Sequence, residues 1–269
     1  MAADTLQKLI GGLQNRFILT FNKGSVSNMV AGALATRWRA AGSPPAGEIP
    51  TVAAVCDGDT VGGWKLPPLP GGGVKMYLAE INVAQSVLGQ FLIFDRLSHM
   101  GGLVGNVITE QTVNLTIADA ATQGRCLADG SGVLWGLQVY TALGATATTA
   151  TVTYTNENNT TGRITTVTIP ATMRVDSFWP ILPNDDDKRI KSIQSIQLAA
   201  STGTAGNFGV TARARVAELP IDSTSKNFIG DYAAIALPEL TGHECLELCM
   251  VCQTTSTGVL IGNAAIIRV

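Results

Sequence analysis

The feature of this sequence that most constrains its fold is a pair of Thr- and Val-rich segments, residues 150–155 and 163–170. β-Branched and aromatic residues pack well on a pleated, half-buried surface. The small polar residues between the segments end in Gly162, which tolerates the positive φ that a hairpin loop needs. Val152 and Tyr154 alternate with threonines, the period of a strand with one covered face. The pattern predicts a β-hairpin with one apolar face turned toward a core.

Further strands are predicted on both sides of this hairpin, separated by turns rich in Gly, Pro and Asn. They cover residues 76–83, 89–97, 107–117, 175–182, 190–199, 208–216, 228–237, 243–253 and 259–269. No helical pattern lies between them, which argues against βαβ units and a parallel sheet. The chain is therefore predicted to be mainly β, an antiparallel sandwich or jelly-roll-like barrel with a short helical N-terminal arm.

The arm begins with an amphipathic pattern. Leu6, Leu9 and Leu13 recur at helical spacing after Asp4 or Thr5, either of which can cap a helix. These leucines predict a short helix whose apolar side packs against another surface.

A second helical pattern is predicted over residues 25–38, which end in Trp38, and Pro and Gly residues stop it shortly afterwards. The predicted organisation is a helical arm at residues 1–50, a Pro/Gly-rich connector at 51–73 and a β body at 74–269. The alternative is a single compact domain that includes the arm.

The arm also supplies the candidate contact residues for a neighbouring subunit. They are Leu6, Leu9, Leu13 and Trp38.

Composition favours a protein that sits in an assembly. Hydrophobic residues make up 46% of the 269 residues and charged residues 14%, against about a quarter charged in ordinary globular chains. A formal net charge of −2 argues against nucleic acid as a partner. No apolar run reaches the roughly 18 residues of a membrane span, and the first residues lack the order of a secretory signal. A soluble protein made in the cytoplasm, without a membrane partner, is expected.

The five cysteines are expected to be reduced thiols, because an odd number without a framework spacing argues against a disulfide scaffold. Cys245, Cys249 and Cys252 have the C-x3-C-x2-C spacing that radical SAM enzymes use to hold an iron–sulfur cluster. In an extended strand Cys245 and Cys249 share one face and Cys252 lies on the other, so the three cannot close on one cluster. Zinc binding with His243 meets the same objection. No metal site and no cofactor are expected.

No catalytic constellation is found. His99, with Asp95 and Ser98 close by in sequence, could suggest a Ser-His-Asp relay, but Ser98 lacks the Gly-x-Ser-x-Gly context of a nucleophile elbow. The three aspartates at 185–187 could offer oxygens to calcium, but their spacing is not that of an EF-hand loop, and a solvated loop is the interpretation adopted. The chain is expected not to be an enzyme.

Several stretches resemble a group of virion structural proteins from tailed bacteriophages and prophages. The stretches that carry this resemblance are residues 38–44, 92–103, 109–114, 153–156, 192–198 and 206–210. The resemblance spans roughly residues 30–220 and has no single diagnostic motif.

The resemblance implies a non-enzymatic protein of the virion, made in the bacterial host cytoplasm. Within that class it implies a capsid decoration (cement) protein, a dimer or trimer that binds the outside of the major capsid protein lattice. The alternatives are a tail, neck or baseplate component and, from another class, a carbohydrate-binding jelly-roll module. Aromatic residues, which line sugar clefts, are only 6% of the chain.

Overall fold

The computed structural model describes residues 6–224 and 226–269 of the chain, apart from the side chains of Leu6 and Cys252. Strands dominate its regular structure, and the paired strands run antiparallel in curled sheets that form sandwiches and half-barrels. The prediction of a mainly β, antiparallel fold is confirmed. Asp4 and Thr5, the predicted helix caps, lie outside the described residues.

The regular elements follow one another along the chain with short connections. The helices are α1 (Leu6–Gln14) and α2 (Ala118–Thr122). The strands are β1 (Phe17–Lys23), β2 (Leu34–Thr36), β3 (Gly42–Ser43), β4 (Ala54–Val55), β5 (Met76–Gln85), β6 (Gly89–Leu103), β7 (Gln111–Thr116), β8 (Val133–Thr141), β9 (Thr148–Asn156), β10 (Arg163–Ile169), β11 (Phe178–Ile181), β12 (Ile190–Leu198), β13 (Asn207–Ile221), β14 (Asn227–Asp231), β15 (Glu239–Leu240), β16 (Leu246–Cys252) and β17 (Leu260–Arg268).

The strands form three sheets. The first sheet has the order β14-β5-β17-β1-β3, with β15 also paired to β5. The second sheet has the order β10-β9-β12-β7. The central sheet has the order β11-β8-β13-β6-β16-β2, with β4 also paired to β6. Neither helix in the described part of the chain has the length or apolar character to cross a bilayer.

The predicted hairpin is formed by β9 and β10. Their register places Tyr154 opposite Arg163, and the intervening loop includes Asn159 and Gly162, both with positive φ. Val152 and Tyr154 are fully buried, as their alternation predicts. The local sequence thus dictates both the hairpin and the face it buries.

Two strands of the central sheet serve two separate cores. β6 and β13 each have 15 residues, which at about 3.3 Å per residue makes each about 50 Å long. At one end of the pair, Leu97 and Val210 pack against residues of the second sheet. At the other end, Phe91 and Leu219 pack against residues of the first sheet. The central sheet is therefore the shared layer of two sandwiches, and this side is called its sandwich face.

The opposite side of the central sheet, called its covered face, lies under residues 24–64. Trp38 packs there against Tyr140 and Cys245. Its indole Nε1 donates to the carbonyl oxygen of Glu48 at 2.9 Å. A Cβ at Gly47 would lie 2.1 Å from the indole ring, so only glycine permits this approach. A segment with little regular structure thus acts as the third layer.

The helix predicted over residues 25–38 is wrong. Gly32 has a φ of +82°, and β2 pairs in register with β16, with Leu34 opposite Val251. The apolar residues of this segment have helical spacing, but the unpaired edge of β16 offers main-chain hydrogen bonds that a helix would forgo. Tertiary pairing overrides the local pattern here.

The segment predicted as a connector, residues 51–73, contributes to the central sheet and to the core between the central and first sheets. Its strand β4 pairs with β6, and Trp64 and Leu66 are buried in the core between the central and first sheets. β1, from the predicted arm, is a strand of the first sheet. The division into arm, connector and body stays a prediction.

Candidate functional site

The predicted contact residues of the arm lie in two different environments in the structure. Leu9 and Leu13 on α1 are half-buried and pack against Tyr77, Ala79 and Ile267 on the outer side of the first sheet. The side chain of Leu6 lies outside the described part of the chain. The apolar side of α1 is thus used within the chain, and a contact of these leucines with another subunit stays a prediction.

Trp38 requires a correction. It is 1% exposed, and its ring lies 4.1 Å from the Arg96 guanidinium carbon, in cation–π geometry. A side chain enclosed in this way cannot contact a neighbouring subunit. Its burial follows from the loss of the predicted helix, because residues 24–64 fold over the central sheet instead of projecting as an arm.

The outer side of the first sheet is only partly covered by α1. Beyond the helix, the side chains of neighbouring strands are aligned by register, with Ile229, Asn82, Asn263 and Thr20 in one row. We call this surface the open face. It consists of Ile18, Thr20, Asn82, Ala84, Ile229, Ile261 and Asn263.

The open face is uncharged at its centre, where Asn82, Asn263 and Thr20 lie in one row. Ile18, Ile229 and Ile261 are 49%, 63% and 54% exposed. The three isoleucines lie on β14, β17 and β1 around a row of uncharged polar side chains, whereas single exposed apolar residues are normal on any protein. A shallow groove lined by Ile10, Leu13, Gln14, Arg16 and Ile18 joins this face to α1. The arrangement suits docking against another protein surface.

The covered face of the central sheet carries a layer of buried charges. Glu247 on β16 lies 2.8 Å from Nε of Arg213 on β13 and 3.3 Å from Nη1 of Arg96 on β6. These three side chains are at most 1% exposed. The Gln138 side-chain oxygen accepts hydrogen bonds from Arg96 at 2.7 Å and from Arg213 at 2.8 Å. Thr36 donates to Glu247 from the covering segment.

The electrostatics of this layer follow from its composition. Burial raises the pKa of the Glu247 carboxyl, but the two arginines outweigh burial and hold the pKa below its ordinary value. Burial raises the pKa of the Asp176 carboxyl to about 7 and outweighs the charges of Lys23 and Arg213, which act in the opposite direction. Its carboxylate accepts a hydrogen bond from the backbone N–H of Arg39 at 3.1 Å. The layer joins residues 24–64 to the central sheet by polar contacts.

The candidate catalytic relay does not form. The Asp95 carboxylate is engaged by Arg125, with Nε at 2.9 Å, and by the backbone N–H of Cys245 at 3.0 Å. His99 accepts at Nδ1 from Nε of Arg96 at 3.0 Å. Asp95 and His99 therefore have different partners, and no Ser98–His99–Asp95 chain of hydrogen bonds exists among them.

Two cysteines of the C-x3-C-x2-C motif lie in different clusters. Cys245 packs with Trp38 and Cys56, whereas Cys249 packs with Leu92 and Phe94. The side chain of Cys252 is not among those described, and His243 is exposed. Among the described side chains, no group of three or more His, Cys, Asp or Glu residues is placed to hold a metal ion.

Of the aspartates at residues 185–187, Asp187 is held by hydrogen bonds from neighbouring side chains. Asp187 accepts hydrogen bonds from Arg163 at 2.7 Å, Asn156 at 2.7 Å and Tyr154 at 2.5 Å. Burial raises the pKa of the Asp187 carboxyl, but these donors outweigh it and lower the pKa to about 2. The aspartate holds its loop against the β9–β10 hairpin.

Sequence reasoning did not single out the charged residues of the buried layer. Glu247 interrupts an otherwise apolar strand segment, and Arg96 and Arg213 lie in strands whose ends are rich in apolar residues. A charge inside a strand that is buried on both faces is a signal that a partner charge exists. The signal indicates a partner but does not identify it.

Comparisons with known proteins give no family assignment. No protein-family model matches the chain, and no curated protein matches it. Among solved structures, it is similar to the VP2 subviral particle of infectious bursal disease virus, with 9% identity over 98% of this chain and 86% of that chain and a TM-score of 0.19. T=1 particles derived from the same virus match with 11% identity over 94% of this chain and 77% of that chain, and a TM-score of 0.19. Similarity at this level carries no argument about the function of the present protein.

Proposed function

We propose that this protein is a non-enzymatic structural component of a tailed-bacteriophage particle, a capsid decoration protein that binds the outside of the major capsid protein lattice as a dimer or trimer. It is made in the host cytoplasm and resides in the virion. The proposal joins the sequence resemblance described above to the surface properties of the folded chain. The finer role, decoration of the head, is the part that the experiment below is designed to test.

The observation that carries the proposal is the open face. Ile18, Ile229 and Ile261 expose apolar surface on three strands of the first sheet. A surface already formed by paired strands loses little conformational entropy on docking, which favours binding to a fixed lattice. Weak contacts of this kind become effective when an oligomer presents several copies at once.

The distribution of charge is consistent with this role. Glu247, Arg96 and Arg213 are used inside the chain, although only 14% of its residues are charged. Fewer charged residues therefore remain on the outer surface to repel neighbouring proteins. Charged residues are depleted at the centres of protein interfaces for the same reason.

A non-enzymatic role is supported by how the polar groups are placed. His99 and Asp95, the residues most suited to acid–base chemistry, are buried and engaged by Arg96 and Arg125. A general acid or base must reach a substrate proton within hydrogen-bond distance. Both side chains are almost fully buried in this fold.

The test begins with the location of the protein in particles. Phage particles are separated by gradient sedimentation, and the protein is quantified by mass spectrometry in head and tail fractions. A copy number in heads comparable to that of the major capsid protein is expected. A few copies in the tail fraction would replace this role with a tail, neck or baseplate role, and absence from particles would reject a virion role.

The open face is tested with matched variants. Ile261→Lys introduces a charge into the open face, whereas Ile164→Lys introduces the same charge on β10 of the second sheet at nearly equal exposure, 54% against 55%. Purified variants are added to heads that lack the protein, and bound protein is measured after sedimentation. We expect Ile261→Lys to lower head binding at least tenfold and Ile164→Lys to leave it within twofold. Equal binding by both variants would show that another surface makes the contact.

A further inference from the structure

Two buried thiols meet at a gap along one edge of β6. On this edge, β16 pairs with β6 as far as Asp95, and β4 pairs with its residues Ser98 and His99. Cys245 immediately precedes β16, and Cys56 immediately follows β4. The two strands therefore meet end to end, with one cysteine at each of the meeting ends.

Main-chain hydrogen bonds fix the spacing of these cysteines. The carbonyl oxygen of Cys245 accepts from the N–H of Arg96 at 2.9 Å, and the N–H of Cys56 donates to the carbonyl oxygen of Leu97 at 3.0 Å. The two cysteines thus lie opposite consecutive residues of β6. Consecutive positions on a strand are about 3.3 Å apart along its axis, and a disulfide requires a Cα–Cα separation of about 4.4–6.8 Å. The two cysteines are therefore close neighbours along one edge of β6.

The side chains already contact each other. Cys56 and Cys245 are 0% exposed and belong to one packed cluster with Trp38 and Tyr140. The two thiols interact with each other, and the Cys56 thiol also interacts with His99. The gap is closed from the other side by Arg125, which donates to the carbonyl oxygens of Cys56 at 2.5 Å and of Arg96 at 3.0 Å.

The surroundings favour one thiol as the nucleophile. Burial raises the pKa of the Cys56 thiol, but hydrogen bonds from Cys245 and His99 and the charge of Arg96 outweigh burial and bring the pKa below its ordinary value. The hydrogen bond to Cys56, followed by burial, raises the pKa of Cys245. A pair in which one thiol is the more acidic and the other the less acidic is the arrangement of a reactive dithiol.

We propose that Cys56 and Cys245 form a peroxide-reactive dithiol that closes to an internal disulfide. The Cys56 thiolate attacks one oxygen of hydrogen peroxide, the O–O bond breaks, and Cys56 sulfenic acid and hydroxide form. The Cys245 sulfur then attacks the sulfur of the sulfenic acid, the S–O bond breaks, and the hydroxyl leaves as water with the Cys245 proton. Two thiols and one peroxide give one disulfide and two waters. This proposal does not depend on the proposed virion role.

The enclosed position of the pair selects the oxidant. Both thiols are fully buried, so a molecule as small as peroxide can reach them during local opening, whereas a folded oxidoreductase cannot. The disulfide would fasten the covering segment, residues 24–64, to β16. Cross-linking residues this far apart in sequence restricts the unfolded chain strongly, so the oxidised protein is expected to melt at a higher temperature.

The neighbouring cysteines provide internal controls. Cys126 is more exposed than Cys56, but burial and the nearby Asp95 raise the pKa of its thiol to about 11. Cys249 is buried in a different cluster, with Leu92 and Phe94. An order of reactivity set by exposure would place Cys126 first. The geometry described here places the Cys56–Cys245 pair first.

The experiment treats the full-length folded protein with graded hydrogen peroxide and quenches with an alkylating reagent under denaturing conditions. Intact mass and non-reducing peptide mapping then identify the products. We expect a protein that carries two fewer alkyl groups than the untreated protein and regains them when dithiothreitol precedes alkylation, and a Cys56–Cys245 peptide pair before Cys126 is oxidised by more than a tenth. The melting temperature should rise by several degrees on oxidation.

Variants separate this proposal from general oxidation. Cys126→Ser should form the cross-link as the wild type does, and Cys245→Ser should form no internal disulfide at Cys56 and show no peroxide-dependent rise in melting temperature. Because the wild-type peptide map needs no substitution, the test survives if Cys245→Ser fails to fold. Oxidation of Cys126 alone, or a cross-link between Cys245 and Cys249, would overturn the proposal.

Discussion

Glu247 and Arg213 form a buried ion pair, with Nε and Oε2 2.8 Å apart, although their strands are not neighbours in the central sheet. β6 lies between β16 and β13, and its residue Arg96, directly opposite Arg213 in register, also faces Glu247. One carboxylate therefore serves two guanidinium groups across three strands. Trp38 covers Arg96, and Phe178 lies 4.1 Å from the guanidinium carbon of Arg213. The covered face of the central sheet thus carries a layer of paired buried charges.

Removing the shared carboxylate is expected to destabilise the fold. Glu247→Gln leaves Arg96 and Arg213 buried without a counter-charge, and breaking a buried pair in this way costs about 3–5 kcal/mol. The free energy of unfolding from urea titration measures the change. Glu218→Gln removes the same charge from an exposed pair with Arg215 and should change stability by less than about 1 kcal/mol. Equal effects of the two substitutions would contradict a structural role for the buried layer.

The stability of the protein is expected to fall as pH rises from about 4 to about 7. Burial raises the pKa of Asp176 from 3.8 to about 7, so in this range the folded state binds a proton that the unfolded state has lost. The difference of about three pKa units sets an upper limit of about 4 kcal/mol. Asp95, whose pKa burial raises to about 6, acts in the same direction. Glu247, with a lowered pKa, acts in the opposite direction, and its contribution is lost at more acidic pH.

The variant Asp176→Asn tests this pH dependence. It removes the titrating group but keeps an oxygen that can accept from the N–H of Arg39, and asparagine tolerates the φ of +67° at this position. Urea titrations from pH 4 to pH 8 should show a much shallower slope for this variant than for the wild type. Asp222→Asn, a substitution at an exposed aspartate, should retain the wild-type slope. An unchanged slope in Asp176→Asn would assign the pH dependence to another group.

The two sides of α1 are expected to respond differently to substitution. Leu13→Ser removes a half-buried side chain that packs against Tyr77 and Ile267 and should cost about 1–2 kcal/mol of stability. Ile10→Ser changes a side chain that is 42% exposed and should alter stability by no more than about 0.5 kcal/mol. Thermal melts measure both. If Leu13→Ser were neutral in the isolated protein but lowered head binding, the original assignment of Leu13 to a subunit contact would be favoured.

Two glycine substitutions are expected to have opposite signs. At Gly136 an added Cβ would lie 2.1 Å from the ring of Phe178, so Gly136→Ala should overpack this site and cost about 1–3 kcal/mol. At Gly11 in α1 nothing lies within 4 Å of an added Cβ, so Gly11→Ala should stabilise by about 0.5–1 kcal/mol. Chemical denaturation of both variants provides the comparison. A stabilising Gly136→Ala would contradict the close packing of Phe178.

Most of the strands could be predicted from the sequence because their signal is local. Alternation of Val152 and Tyr154 with threonines identifies the buried side of β9, and this side is buried. Strand ends were less predictable. The strand expected over residues 228–237 ends at Asp231, and the positive φ values of Ala236 and Leu237 turn the chain after it.

The segment at residues 25–38 shows why the remainder could not be predicted. Its apolar spacing fits a helix, but its conformation is set by β16, more than 200 residues away in sequence. The candidate contact residue Trp38 was misassigned for the same reason, since its burial depends on where this segment lies. The open face was likewise not predictable, because it depends on the register of four strands.

The sequence by itself determined that this chain is an antiparallel β protein with a hairpin at β9–β10 and buried apolar strand faces, because side-chain alternation and turn residues act over a few positions. The tertiary structure alone decided which polar residues meet. Asp95 with Arg125, Glu247 with Arg213, and Cys56 with Cys245 are each brought together by sheet order and register. Pairings of this kind carry no local signature, since each residue needs only a partner of suitable chemistry and the fold alone determines which partner lies within reach.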